Sequence, residues 1–242
     1  MIHIDAREGV SADMLLAAMI DLLPETVKED AIRKLVSAAE GKGLSMQIID
    51  IEDSGDRGIG ISYVQRVQTE GTTEYRDAYR CIDEITTLLG SGRESSNAIL
   101  DKVFEAEAAA HGVSPEEVHL HEIGRPQAMM NMAGIGFIAT LLEKDSHGEF
   151  VSSTLTTGRG IVVTGHGTFR LPAPATAHLL KALRHVPGDC PGERATPTGV
   201  AAISALISEQ TDDVPDDPLR KSVGFGTKRF AGRLGRTTLR LV

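Results

Sequence analysis

The chain has 242 residues, of which 41% are hydrophobic and 24% charged, with a formal net charge of −9; this is the balance of a globular protein with ample length to bury a core. An acidic chain with no long Lys/Arg run, no Trp and 4% aromatic residues excludes general nucleic-acid binding and a base-stacking platform. No window approaches about 18 consecutive apolar residues, Met1–Asp5 shows no basic-then-apolar leader, and Cys81 and Cys190 fit neither a disulfide framework nor a metal spacing, so a cytoplasmic protein without a membrane span is expected.

Residues 1–6 read as a short strand. Ser11 is placed to cap a helix through about Leu23, with Met14, Leu15, Ala18, Met19 and Leu22 on one stripe. Pro24-Glu25-Thr26 interrupts it. A second amphipathic helix is expected from about Val27 to Glu40, ended by Gly41 and Gly43. Two apolar runs, Met46–Ile51 and Ile59–Val67, flank Ser54-Gly55-Asp56-Arg57-Gly58 and predict a hairpin over Leu44–Gln68. Helical periodicity returns from Tyr75 to about His111, divided by Ser91-Gly92. Ser114-Pro115-Glu116-Glu117 is a helix start with a capping box that has room for only about one turn. After a break at Gly124-Arg125-Pro126 comes a helix from about Gln127 to Lys144, whose Met129, Met130 and Met132 suit core filling better than soft-metal binding.

Asp145–Glu149 is a polar loop and the candidate domain boundary. Beyond it Ile161–Val163 reads as a strand, and Ala173-Pro174-Ala175 leads into a helix ending near Leu183. A further helix, Gly199–Ser208, follows Ala195-Thr196-Pro197-Thr198, and Thr237–Val242 is strand-like. The expected fold is α+β with two lobes. Residues 1–148 make a small sheet with packed helices and a helical segment; residues 149–242 make a C-terminal α/β lobe.

Chemistry concentrates in four short segments. In Val118-His119-Leu120-His121-Glu122-Ile123-Gly124, two imidazoles and a carboxylate stand almost side by side. An extended run puts His119 and His121 on one face and Glu122 on the other, whereas a helix would part the imidazoles by about 200°. Such a pair suits zinc, nickel or copper if further ligands arrive from elsewhere; ordinary polar strand positions look the same. Glu8-Gly9-Val10-Ser11-Ala12-Asp13-Met14 leads from a strand into a helix start, where free amides and the macrodipole favour an anion, and where Asp13 also fits as a simple first-turn acid. Thr196-Pro197-Thr198-Gly199 opens another helix with two hydroxyls beside exposed amides, which suits a phosphate or carboxylate, or a plain Thr cap. His166, in Thr164-Gly165-His166-Gly167-Thr168, has open access as a third ligand or a base, or is a turn residue. Neither a Gly-x-x-x-x-Gly-Lys-Ser/Thr loop nor a Gly-x-Gly-x-x-Gly after a strand is present.

Taken in order, these segments resemble one family, LarC, the nickel-insertion proteins of lactate racemase maturation. Ser11-Ala12-Asp13-Met14 looks like its Ser-Gly-Asp-Met motif; Ala106-Glu107-Ala108 with His111-Gly112 looks like its Ala-Glu-Ala…His-Gly stretch; His119-Leu120-His121-Glu122-Ile123-Gly124 looks like its His-Phe-His-Glu-Val-Gly. Gly165-His166-Gly167, Pro172-Ala173-Pro174-Ala175-Thr176 and Thr196-Pro197-Thr198-Gly199 complete the series, so the resemblance covers nearly the whole chain. It implies a cyclometallase, a lyase of cofactor biosynthesis that puts nickel into a thiolated pyridinium mononucleotide with CTP consumed. That chemistry needs replaceable metal ligands, an anion site for the phosphate and a base for the proton lost when carbon bonds to nickel. On this basis we assign His119, His121 and His166 to the metal, Asp13, His121 and Glu122 to the chemistry, and Ser11, Thr196, Thr198 and Gly199 to the nucleotide.

The departures are specific. The family's Cys-Phe-Ser-Gly-Ile-Ser-Gly-Asp-Met is here Ala6-Arg7-Glu8-Gly9-Val10-Ser11-Ala12-Asp13-Met14, without the cysteine and with Ala12 for Gly. Acidic positions at the start of the next helix correspond to the neutral Gln127 and Asn131, and a His-rich insertion is missing around Glu70–Tyr75. Val242 falls about where the family continues into a C-terminal domain associated with CTP. Two forms therefore stay open. One is a metal-insertion enzyme receiving CTP and a divalent metal through a separate C-terminal-domain protein; the other is a non-catalytic metal- or nucleotide-binding subunit. A homo-oligomer is expected in either case.

Overall fold

The computed structural model describes residues 1–65, 71–146, 148–164, 167–214 and 216–242. Residues 66–68 of the expected hairpin, position 70 at the edge of the missing insertion, His147, Gly165 and His166 lie outside the described residues.

The chain opens with β1 (Ile2–Asp5), buried along its first three residues as a strand covered on both faces should be. Next come α1 (Ala12–Leu22) and α2 (Glu25–Gly41). α1 is apolar almost all round and buries nine residues, so it is an interior helix; α2 buries only Ala31, Leu35, Ala38 and Ala39 and presents a charged face to solvent. β2 (Leu44–Asp53) and β3 (Asp56–Gln65) form the expected hairpin around Ser54-Gly55. β4 (Thr73–Glu74), α3 (Tyr75–Leu89) and α4 (Arg93–His111) follow. At the single 3-10 turn after α4, the Glu117 carboxylate accepts a hydrogen bond from the Ser114 N–H, the reach-back half of a capping box, and a second from the Ser114 hydroxyl. β5 (His119–Leu120) pairs antiparallel with β4, and α5 (Pro126–Ser146) then runs through the interior, buried continuously over residues 129–139. Its methionines are core residues.

The remaining elements are β6 (Phe150–Ser152), β7 (Leu155–Thr157), β8 (Ile161–Thr164), β9 (Gly167–Arg170), α6 (Pro174–Leu179), β10 (His185–Pro187), α7 (Pro197–Leu206), β11 (Ile207–Gln210), β12 (Arg220–Phe230) and β13 (Arg233–Leu241). α7 begins two residues before the expected Gly199, because Thr196 caps it: the Gly199 N–H donates to Thr196 Oγ1 at 3.2 Å. α5 runs to Ser146, into the polar stretch expected to be loop.

Among the described residues, seven strands form one mixed sheet in the order β11-β6-β1-β13-β12-β3-β2. β1 sits centrally, parallel to β6 and antiparallel to β13. α1 packs on β12; α5 packs against α1, α3 and α4; α4 packs against α6 and α7. The fold is α+β, as expected. Strands from either side of residue 148 share the sheet, so the two segments are joined by continuous backbone hydrogen bonding. Two further pairs, β7 with β10 and β8 with β9, stand apart from it in the C-terminal segment. One contact sets the helix layer's distance from the sheet: a Cβ on Gly224 of β12 would lie 1.9 Å from the Met14 carbonyl oxygen, so only glycine lets α1 lie this close. Among the described residues no helix is long and apolar enough to cross a membrane.

Candidate functional site

The loops that begin α1 and α7 are zipped together. Val10 N–H donates to the Arg194 carbonyl at 2.8 Å, and Thr196 N–H donates to the Val10 carbonyl at 3.0 Å. Gly9 makes this possible: its φ is +111°, and a Cβ there would meet the Arg194 carbonyl oxygen at 2.4 Å. The zipper brings Ser11 and Asp13 beside Thr196 and Thr198. A third segment arrives from β5. Gly124 N–H bonds to the His121 carbonyl at 3.2 Å and Arg125 N–H to the Glu122 carbonyl at 3.3 Å, which turns the chain sharply into α5.

The starts of α1, α5 and α7 thereby line one polar chamber of about 570 Å³. Its walls include Ser11, Asp13, Glu122, Arg125, Gln127, Asn131, Thr196 and Thr198. The Ser11 hydroxyl donates to Asp13 Oδ1 instead of capping the backbone of α1, so among the described residues the first amides of that helix have no side-chain cap. Beneath them the Tyr63 hydroxyl donates to Asn131 Oδ1 at 2.8 Å. Burial pushes the Tyr63 phenol up, and the Asp13 charge adds to it, so Tyr63 is held as a neutral donor.

A second chamber of about 670 Å³ adjoins the first through a shared wall of Glu122, Ala128, Thr196 and Thr198. It is more apolar, lined by Leu120, Ile123, Val162 and Phe169 among others, with Glu107, His111, His121, Glu122, Glu193 and Lys228 as its charged or titratable groups. Glu107 and His111 are one helical turn apart on α4, with Oε2 and Nε2 3.6 Å from each other. Burial pushes the Glu107 carboxyl up, against the pull of His111 and His121.

The residues singled out from the sequence thus fall into three groups. Ser11, Asp13, Glu122, Thr196 and Thr198 share the polar chamber, and Glu122 with the two threonines also faces the apolar one, which holds His121. Gly199 is buried and spends its N–H on the Thr196 cap, so it shapes the edge without facing it. His119 is elsewhere: it is 54% exposed at its side chain, its Nδ1 lies 2.9 Å from Glu74 Oε2 on β4, and it lines neither chamber. The strand ends at Leu120, so the alternation expected for His119 and His121 does not continue, and the turn that follows carries His121 and Glu122 to the same chamber. His166 lies outside the described residues. Among the described residues no group of three or more His, Cys, Asp or Glu is placed to hold a metal ion.

Glu107, His111, Arg125 and Asn131 were not assigned from the sequence. The i, i+4 spacing of Glu107 and His111 and the position of Arg125 beside a helix-starting proline were available signals.

An α+β fold with helix starts converging on a polar chamber, and a His-Glu turn opening onto an apolar one, is an architecture with room for a polar small molecule between its loops. Comparison with known proteins narrows the class: the model of the nickel insertion protein family matches residues 2–241, and the chain belongs to that family. It is 34% identical over 235 residues to a protein of Pelobacter propionicus named "Putative nickel insertion protein", covering 95% of this chain and 57% of that protein. A Rhodopirellula baltica protein of the same name is 30% identical, over 96% of this chain and 57% of its own length. The pyridinium-3,5-bisthiocarboxylic acid mononucleotide nickel insertion protein of Staphylococcus saprophyticus is 30% identical, over 95% of this chain and 56% of its own. The chain therefore spans somewhat more than half the length of these relatives. No solved structure matches it significantly.

Proposed function

We propose that this chain handles nickel as its cargo and inserts it into a pyridinium-3,5-bisthiocarboxylic acid mononucleotide, the reaction for which the Staphylococcus saprophyticus relative is named. The observation that carries the reading is the placement of Asp13, His121 and Glu122 around one shared wall in a chain matched almost end to end by the nickel insertion family. His121 is the nickel ligand of this proposal, an imidazole at the mouth of an apolar chamber that suits a borderline metal. Of the other two imidazoles assigned to the metal from the sequence, His166 stays in this proposal as a further ligand, whereas His119 faces Glu74 outside both chambers and is left out of it. Insertion breaks one ring C–H bond and forms a carbon–nickel bond, so a proton must leave. Glu122, on the wall between the chambers, and Asp13 beyond it are the proposed acceptors. Ser11, Thr196 and Thr198 present hydroxyls and helix-start amides to the nucleotide, and Gly199 sets their edge. CTP with a divalent metal enters this proposal through a separate C-terminal-domain partner, in a cytoplasmic homo-oligomer.

A second reading, a non-catalytic metal- or nucleotide-binding subunit, draws on the neutral Gln127 and Asn131, which stand where the family carries acidic residues. Reconstitution with nickel, CTP and the thiolated mononucleotide separates the two. Nickel-containing product formed by this chain alone, or with the partner added, supports insertion. Binding of nickel or mononucleotide with no product under either condition supports the subunit.

A further inference from the structure

The last turn of α4 holds two groups that the insertion reading does not use. Glu107 and His111 both line the apolar chamber, with Oε2 and Nε2 3.6 Å apart. That separation is longer than a hydrogen bond. Among the described residues nothing donates a hydrogen bond to the Glu107 carboxylate, although its side chain is only 16% exposed; His111 and His121 are the groups whose charge acts on it. A carboxylate buried without a donor calls for a cation. The chamber's charge points the same way. Three carboxylates, Glu107, Glu122 and Glu193, face one ammonium, Lys228, which is already paired with Glu193 at 3.2 Å. With its imidazoles neutral, the chamber is short of two positive charges. The spacing on α4 fits a metal ion: at bonds of about 2.0–2.2 Å, two donors on one tetrahedral ion stand roughly 3.3–3.6 Å apart.

We infer that Glu107 and His111 hold the nickel cargo between them, as an oxygen and a nitrogen donor on one helix face, in the chamber that also holds His121. This rests on the reading of nickel as cargo and adds the place where it is held before transfer. Residues four apart on a helix share a face, so α4 presents both donors without any loop having to move. Among the described residues no third His, Cys, Asp or Glu is placed to complete the group. An incomplete set suits a cargo. A closed set of four protein donors keeps its ion, whereas open positions admit an incoming ligand. His121, on the turn after β5, and the sulfurs of the substrate take those positions, and exchange of a carboxylate oxygen for sulfur suits a borderline metal.

Calorimetric titration of the full chain with nickel chloride tests the pair. Glu107→Gln keeps the size of the side chain and removes its charge. His111→Gln removes an imidazole that is 39% exposed at the end of α4, where the fold does not depend on it. Each is expected to weaken nickel binding at least tenfold, with a urea midpoint like that of the wild type. Nickel-edge X-ray absorption separates ligands from neighbours: the His111→Gln complex should show one imidazole fewer than the wild type. Wild-type nickel affinity in either folded variant overturns the pair and reduces it to an i, i+4 ion pair. An unchanged imidazole count in His111→Gln, or no nickel binding by the wild type, overturns it as well. If Glu107→Gln does not fold, His111→Gln decides alone. The insertion reading fails separately. Weakened nickel binding in the variants, with no product from the reconstituted wild type, leaves the pair standing and removes insertion. Product formation with nickel affinity untouched by both variants does the reverse.

Discussion

The two walls of the site are built on different principles. The wall formed by α1, α5 and α7 is tied into the core: each helix start follows a loop hydrogen-bonded to another part of the chain, and α1 lies so close to β12 that a methyl group would not fit between them. The opposite wall of the apolar chamber is the β8–β9 hairpin, which pairs with no other strand among the described residues and carries Ile161 at 68% and Val163 at 75% exposure. Chemistry that depends on placement to within a fraction of an ångström needs the first kind of wall, and the groups that would hold phosphate and move a proton are on it. The second kind contributes apolar cover, through Val162 and Phe169, with few ties to the backbone around it.

The largest effect should come from forcing the tight wall apart. Gly224→Ala places a Cβ against the backbone of α1, where no side chain can yield. Urea unfolding should show a loss of about 3 kcal/mol or more, the upper part of the range for overpacking. A loss under about 1 kcal/mol would mean that α1 is free to shift and that the contrast between the walls is overstated.

Next is the anchor of β1 beneath this wall. Burial pushes the Asp5 carboxyl up, but hydrogen bonds and charge from Arg7, with Arg240, prevail and hold it at about 2. The folded value lies below the unfolded one. The stabilisation is therefore complete above about pH 4 and disappears as pH falls through about 2. Asp5→Asn should cost about 2 kcal/mol at neutral pH in chemical denaturation. The gap between variant and wild type should close at the acid end; a gap that stays constant down to pH 2 would assign the loss to packing.

The two histidines of the His-Leu-His run sharpen the comparison at the site itself. His121→Ala should weaken nickel binding at least tenfold, about 1.4 kcal/mol, with the fold intact. His119→Ala should change it less than about threefold, because His119 faces Glu74 outside both chambers. Calorimetry giving equal losses would return His119 to the ligand set and require the β4–β5 pair to open on metal binding.

What could be read in the sequence follows the range of the forces involved. α1 to α5 and the β2–β3 hairpin are set by periodicity, caps and turns within some ten to twenty residues, and they stand close to where the pattern put them. The sheet is not local in this sense. β1 pairs with β13, Ile2 opposite Leu241, and nothing in either segment alone names the other as its neighbour. The same limit governs the site. Asp13, His121, Glu122 and Thr198 could be picked out as residue types beside helix starts or turns. That Glu122 would face two chambers, and that His119 would face neither, depends on where β5 stops. A two-residue strand ended by the turn at Gly124 defeats the alternation argument, because alternation holds only while pairing lasts. Asn131 stands out in the sequence only as a neutral residue where the family carries an acid, and its partner, the Tyr63 hydroxyl, comes from the distant hairpin.

The smallest effect should be on the open wall. Val163 has a β-branched apolar side chain on a strand, and by residue type its replacement with Thr would be costly in a core. At 75% exposure it has little surface to lose on unfolding. The hairpin's ladder, with Val163 opposite Thr168, is kept by another β-branched residue. Val163→Thr should therefore change stability by no more than about 0.5 kcal/mol in urea unfolding. Ligand affinity in the apolar chamber should change little, because Val162 and Phe169 remain to cover it. A loss of about 2 kcal/mol would mean that this face is covered when the chain is in solution, and repeating the measurement across a hundredfold range of protein concentration would show whether a second copy covers it. With no concentration dependence and no loss, the hairpin is the open wall, and the precision of the site rests on α1, α5 and α7.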